Sequence, residues 1–175
     1  MKSTKLFFIL FILIFSSSAY ATDYYFCDTG DDNNPGTQDL PMKSFEKAID
    51  VFNKLLAGGS VNLCRGGVFE TSTQQRIASW NCSADRICRF GDYGDTNKSK
   101  PLIIADGVTP FNFQDSGDAH ADGGYLLERL SLLGKNNASA GIVLFNDVND
   151  FVADDLHIEN YGICFYLSPK PLLPI

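Results

Sequence analysis

The chain has 175 residues and carries 21 aspartates and glutamates against 14 lysines and arginines, for a formal net charge of −7. That acidic balance argues against nonspecific nucleic-acid binding, which needs concentrated basic charge, and disfavours a polyanionic substrate unless a local basic groove overrides it. The length allows one domain with a real core.

Residues 1–21 read as a secretory signal peptide. Lys2 and Lys5 precede an apolar run from Leu6 to Phe15, followed by Ser16-Ser17-Ser18 and the small-residue cleavage pattern Ala19-Tyr20-Ala21. The run falls short of the ~20 apolar residues that a span requires, and no later segment could cross a membrane. The expected location is secreted, periplasmic or cell-surface. Export permits disulfides, and all five cysteines lie beyond the cleavage site. Cys82 and Cys88 are placed to staple a polar loop. Cys27 and Cys64 each end a short apolar strand and would be bridged if those strands are neighbours. Cys164, left over, reads as a small buried core residue. A metal site is the rival reading for the cysteines, but it lacks close C-x-x-C spacing and nearby histidines.

Residues 22–70 read as a strand, a capping helix and a first coil. Tyr24 to Cys27 is strand-like, and Asp28 to Thr37 is turn composition. The acidic run there does not have EF-hand order, although four such side chains in a row raise calcium as an alternative. After Pro41, the residues Phe45, Ala48, Ile49, Phe52, Leu55 and Leu56 fall on one helical face, and Gly58-Gly59 stops the helix. Its apolar stripe is expected to cover an open coil end. Val61 to Cys64 is the next strand, and Gly66-Gly67 turns the chain toward Val68-Phe69-Glu70.

Residues 71–100 read as an irregular excursion containing Trp80, one short apolar segment at Ile87 to Phe90, and a turn at Gly91 to Asp95. Residues 101–167 return to strand character and hold the coils, beginning with Pro101 to Gly107 and extended by Phe111 and Phe113. Asp118, His120 and Asp122 lie between glycines from Gly117 to Gly124, as a hydrophilic loop or a mixed carboxylate and imidazole metal set. Asn81, Asn97 and Asn137 each begin a glycosylation acceptor pattern.

The clearest organisation lies between Gly124 and Tyr166. Tyr125 to Gly134 is answered by Phe151 to Asn160, with Leu130 and Leu132 mapping onto Leu156 and Ile158. Gly141 to Phe145 is answered by Gly162 to Tyr166. Short alternating segments punctuated by Gly and Asn predict a solenoid of strands, each coil burying the apolar edge of the last. An ordinary sandwich with evenly spaced strands is the competing architecture. Residues 168–175 form a proline-rich tail that no regular strand or helix continues. An uncapped coil stack would expose its apolar cross-section, so further C-terminal coils or a covering partner are expected.

The run from Tyr24 to Glu70 resembles the entry segment of secreted right-handed parallel β-helix proteins, the pectate-lyase-like superfamily. The resemblance rests on Tyr24-Tyr25-Phe26, Asn34-Pro35-Gly36-Thr37, Pro41 to Phe45, Ala48-Ile49 and Cys64 to Glu70, with Met42 and Ser44 as mild departures. It implies an all-β, right-handed parallel β-helix with an N-terminal capping helix, apparently incomplete at its C-terminus. It also implies a polysaccharide or glycan as partner. Superfamily members include lyases, hydrolases, epimerases and adhesin-like proteins. Lyases of this kind carry calcium-binding acidic residues and an Arg or Lys base on outer faces of middle coils. The residues available here are Arg129, Lys135, Asp147, Asp154, Asp155, His157 and Glu159. On a lyase reading, Asp154, Asp155 and Glu159 would hold calcium, and Arg129 or Lys135 would serve as base or carboxylate clamp. None matches a family motif residue by residue, so no catalytic role is carried over. The functional expectation is a secreted β-helix protein directed at carbohydrate, with lyase-like activity, noncatalytic glycan binding and an inactive truncated copy as alternatives.

Overall fold

The computed structural model describes residues 21–114, 123–146 and 148–168. Among these the chain forms one helix and twelve strands: β1 (Asp23–Phe26), α1 (Phe45–Asn53), β2 (Ser60–Cys64), β3 (Val68–Thr71), β4 (Cys88–Tyr93), β5 (Leu102–Asp106), β6 (Phe111–Gln114), β7 (Gly123–Glu128), β8 (Ser131–Lys135), β9 (Ala140–Phe145), β10 (Asn149–Asp154), β11 (His157–Glu159) and β12 (Ile163–Ser168). The strands lie in three sheets, ordered β1-β2-β4-β7-β10, β3-β5-β8-β11 and β6-β9-β12. All of these neighbouring strands run parallel. The architecture is therefore all-β and solenoid-like, with one short helix.

Register follows the repeat. Tyr125 faces Phe151 and Leu132 faces Ile158, as the first pair of repeats predicts. In the third sheet Ile142 faces Phe165 and Ala140 faces Ile163, so Gly141 aligns with Cys164 and not with Gly162. That two-residue offset keeps every side chain on its expected face, because strand side chains alternate with a period of two.

The interior is built from inward rows. Val61, Phe90 and Leu127 stack through the first sheet, Ile103 and Leu132 through the second, and Phe111 and Ile142 through the third, all buried. The helix α1 packs on these rows. Phe45 meets Phe90 and Phe111 with ring centroids 6.2 and 5.5 Å apart, and Phe52 meets Phe90 at 5.4 Å. Its start is fixed twice. The Ser44 hydroxyl accepts from the Lys47 amide at 3.2 Å, and the Asp32 carboxylate accepts from the Lys43 and Ser44 amides at 2.9 and 2.8 Å. Burial pushes the Asp32 carboxyl upward, but the hydrogen bonds from Ser44 and Lys43 outweigh it and hold the group below its usual value. The helix ends at Asn53, so Leu55 is buried beyond it while Leu56 points to solvent.

Several expectations are corrected. Residues 71–100 are not simply an irregular excursion: they contain the end of β3 and all of β4, and Gly91, Asp92 and Tyr93 are strand residues and not a turn. Their turn-like composition is overridden by ladders with β2 on one side and β7 on the other. Cys164 is exposed, not buried. It sits on β12, the edge of its sheet, where Ile163, Phe165 and Leu167 are exposed as well although they face Ala140, Ile142 and Leu144. The Asp118, His120 and Asp122 segment, Asp147, residues 1–20 of the signal-peptide reading (1–21) and the tail from Pro169 onward lie outside the described residues. No helix among the described residues is long and apolar enough to cross a membrane.

Candidate functional site

Three rows of side chains form the outer face of the first sheet. Asp23, Ser60, Arg89, Leu126 and Val152 make the first row. Tyr25, Asn62, Gly91, Glu128 and Asp154 make the second, and Tyr93 stands beside Cys64 in the third. Cys27 and Cys64, at the ends of neighbouring β1 and β2, are joined by a disulfide, and Cys82 is joined to Cys88. The first bridge is possible because parallel pairing brings both strand ends to one corner, with Cα atoms 5.1 Å apart.

A continuous polar chain crosses this face. The Ser60 hydroxyl donates to Asp23 at 2.6 Å, and the Asn62 amide donates to the Ser60 hydroxyl at 2.7 Å. Arg89 then lies across Gly91, donating to Asn62 Oδ1, to Glu128 Oε1 and, at 3.1 Å, to the Asp92 carbonyl. A Cβ on Gly91 would stand 2.7 Å from an Arg89 guanidinium nitrogen, so the glycine keeps that path open. Asp92 holds the corner. Its Oδ2 accepts from Arg65 Nε at 2.5 Å and its Oδ1 from Arg129 Nε at 2.7 Å, while Arg129 also donates to both Glu128 oxygens. Both carboxylates are buried. Every carboxylate oxygen of Asp92 and Glu128 therefore has a guanidinium donor. Burial lowers the Arg89 pKa from its usual value, as does the charge of Arg129, with Asp92 acting in the opposite direction.

Beside this network lies a groove of about 540 Å³ floored by Tyr25, Asn62, Arg89, Tyr93 and Leu126. The rings of Tyr25 and Tyr93 meet edge to face with centroids 5.0 Å apart. Burial, and secondarily Tyr25, raises the Tyr93 pKa, so its hydroxyl stays protonated as a donor.

The residues singled out from sequence are distributed differently. Arg129 joins the network through a left-handed backbone conformation (φ 54°) between β7 and β8. Lys135 ends β8 on a different sheet, in a cleft of about 280 Å³ with Glu46, Glu70 and Asp106. Asp154 is exposed at the end of β10, and its carbonyl accepts from the Arg129 amide at 3.0 Å. The Asp155 carboxylate is engaged by Lys100 Nζ at 2.5 Å, and Lys100 holds its pKa low. Glu159 is exposed on β11, 3.3 Å from His157. Asp155 and Glu159 thus have separate partners in separate elements, and a calcium donor set from Asp154, Asp155 and Glu159 is not assembled. Cys27, Asp28 and Cys64 do cluster, but both sulfurs are consumed in the disulfide and Asp28 accepts from the Val68 amide at 3.0 Å.

Sequence reasoning missed Arg65, Arg89, Asp92 and Glu128. Only the glycine at 91, standing inside what proves to be a strand, signalled a close approach there.

The chain is 34% identical over 95 residues to a lacto-N-biosidase of Bifidobacterium longum subsp. longum, a match covering 53% of this chain and 6% of that protein. Two crystal structures of the GH136 lacto-N-biosidase from Eubacterium ramulus superpose on 86% of this chain and 31% of theirs, with TM-scores of 0.60 and 0.58 at 18% and 20% identity. The chain thus spans under a third of these relatives' length. No family model matches the chain.

Proposed function

We propose that the chain is an exported, carbohydrate-directed protein of right-handed parallel β-helix architecture, akin to glycoside hydrolases and not to lyases. The observation that carries this reading is that one kind of protein, lacto-N-biosidase, is similar to the chain both in sequence and in the stacking of its coils. The two disulfides and the signal-like leader suit an oxidising compartment. The helix α1, packed on the inward aromatic rows, acts as the N-terminal cap, as in the pectate-lyase-like proteins that the entry segment resembles.

Within that reading Asp92 and Glu128 tie the coils together and are not a hydrolytic pair. Glycoside hydrolysis needs a carboxylic acid that can protonate the leaving oxygen and a second carboxylate with a free oxygen. Asp92 and Glu128 offer neither, since each oxygen accepts from an arginine. This favours noncatalytic glycan binding as the second reading for the chain taken alone.

The test is a product analysis of the protein with lacto-N-biose-terminated oligosaccharides and with uronate polymers. The expected result is binding, or cleavage by addition of water, on the former. An unsaturated, ultraviolet-absorbing uronate product would overturn the hydrolase-like reading.

A further inference from the structure

We propose that the groove over Tyr25 and Tyr93 is a binding subsite for a neutral pyranose, in which the two tyrosines supply the stacking surface and Gln38 and Asp23 supply hydrogen-bonding groups. The inference rests on the carbohydrate-directed reading and names the sugar class that the groove takes.

The volume of about 540 Å³ falls within the range of small-ligand sites and holds one or two sugar rings. A pyranose presents an apolar C–H face and a belt of hydroxyls. The groove presents the matching pair. Tyr25, Ile87, Tyr93 and Leu126 are its apolar elements, and none of them is fully buried. Tyrosine suits such a wall because it joins an apolar ring to a polar tip. The two rings meet edge to face at 5.0 Å, which orients the Tyr25 ring.

Neutrality follows from the polar partners. Among the described residues Arg89 is the one cationic side chain lining the groove, and three of its five N–H groups already donate, to Glu128, Asn62 and the Asp92 carbonyl. A uronate or sialate carboxylate would therefore have to share a guanidinium that Glu128 and Asp92 already engage. It would also meet Asp23, whose Oδ1 accepts from Ser60 and whose charge already bears on Arg89. A charged sugar thus loses its hydration beside one shared guanidinium and a repelling carboxylate, whereas a neutral sugar needs only hydroxyl contacts. Gln38, exposed at the rim, brings an amide that can both donate and accept.

The test is titration calorimetry of the purified protein with lacto-N-biose and, separately, with a galacturonate oligomer, on the parent chain and on Tyr25→Ala and Gln38→Ala. Lacto-N-biose is expected to bind and the galacturonate oligomer not to. Tyr25→Ala is expected to weaken binding about tenfold, the equivalent of roughly 1.4 kcal/mol. Gln38, being exposed, can be removed without disturbing the core, so Gln38→Ala reads the same groove should Tyr25→Ala melt early. Sugar binding unchanged in both variants would overturn the groove assignment while leaving the carbohydrate reading in place. Tighter binding of the galacturonate oligomer would overturn the neutral-sugar assignment. Binding of neither sugar would bring down the subsite and the wider reading together.

Discussion

Asp92 and Arg129 stand on successive turns of the solenoid and meet at 2.7 Å, carboxylate to guanidinium, in a corner where Asp92 is buried. Asp92 pairs in register with Leu63, an inward position, and its charge is met by Arg65 from the preceding coil and Arg129 from the following one, with Arg89 of its own strand 3.7 Å away. Asp92, Arg65 and Arg129 clamp three coils together along the solenoid axis. Replacing Asp92 by Asn removes the carboxylate partner of Arg65 and leaves Arg129 to Glu128 alone. The expected loss is about 3 kcal/mol, in line with broken buried ion pairs, read as a lower urea midpoint at unchanged slope.

Gly91 offers a cleaner test of the outer network. A methyl group there would press on the far end of Arg89, not on backbone. Gly91→Ala is expected to destabilise by about 1 kcal/mol in the parent chain through loss of the Arg89 hydrogen bonds. In an Arg89→Ala background the same substitution should cost almost nothing. A double-mutant cycle measures the difference, and equal costs in both backgrounds would place the clash elsewhere.

Asp32 makes stability pH-dependent. Its folded carboxyl is held below the unfolded reference of about 3.9, so its contribution is complete above that pH and is lost as pH falls through the folded value. Urea midpoints should therefore decline below about pH 4, more steeply in the parent than in Asp32→Asn, which has no proton to gain. Parallel declines would remove the helix cap from the account.

Tyr161 runs the other way. Its hydroxyl is buried without a hydrogen-bond partner, and burial raises its pKa far above the usual phenol value. A Cβ at Gly134 would meet the Asn160 carbonyl first and the Tyr161 ring at 3.0 Å. Tyr161→Phe keeps the ring and removes the unpaired group, so it should raise stability by about 1 kcal/mol, seen as a higher melting temperature. A lower melting temperature would mean that the hydroxyl is satisfied.

Much of the fold was legible because solenoid coils repeat local patterns. Leu130 and Leu132 predict Leu156 and Ile158, and the Phe45 to Phe52 stripe predicts a helix laid on an apolar surface. The network was not legible, because its members come from four separate segments that only the stacking of coils brings together. Asp92 sits between a glycine and a tyrosine in a stretch of turn composition, and nothing local marks it as buried. Arg129 could be named but not assigned, since its role depends on Asp92 one coil before. Asp154, Asp155 and Glu159 looked like a ligand set in sequence, yet Lys100 and His157 draw Asp155 and Glu159 to different partners.

The central claim is that this face of the solenoid meets carbohydrate. The most direct measurement is a glycan array probed with the labelled protein at neutral pH, with a reduced sample as a control for the disulfides. The account predicts retention on neutral glycans, strongest where lacto-N-biose is terminal, and little on uronate polymers. A folded protein that is retained on no glycan, or only on acidic ones, would contradict it.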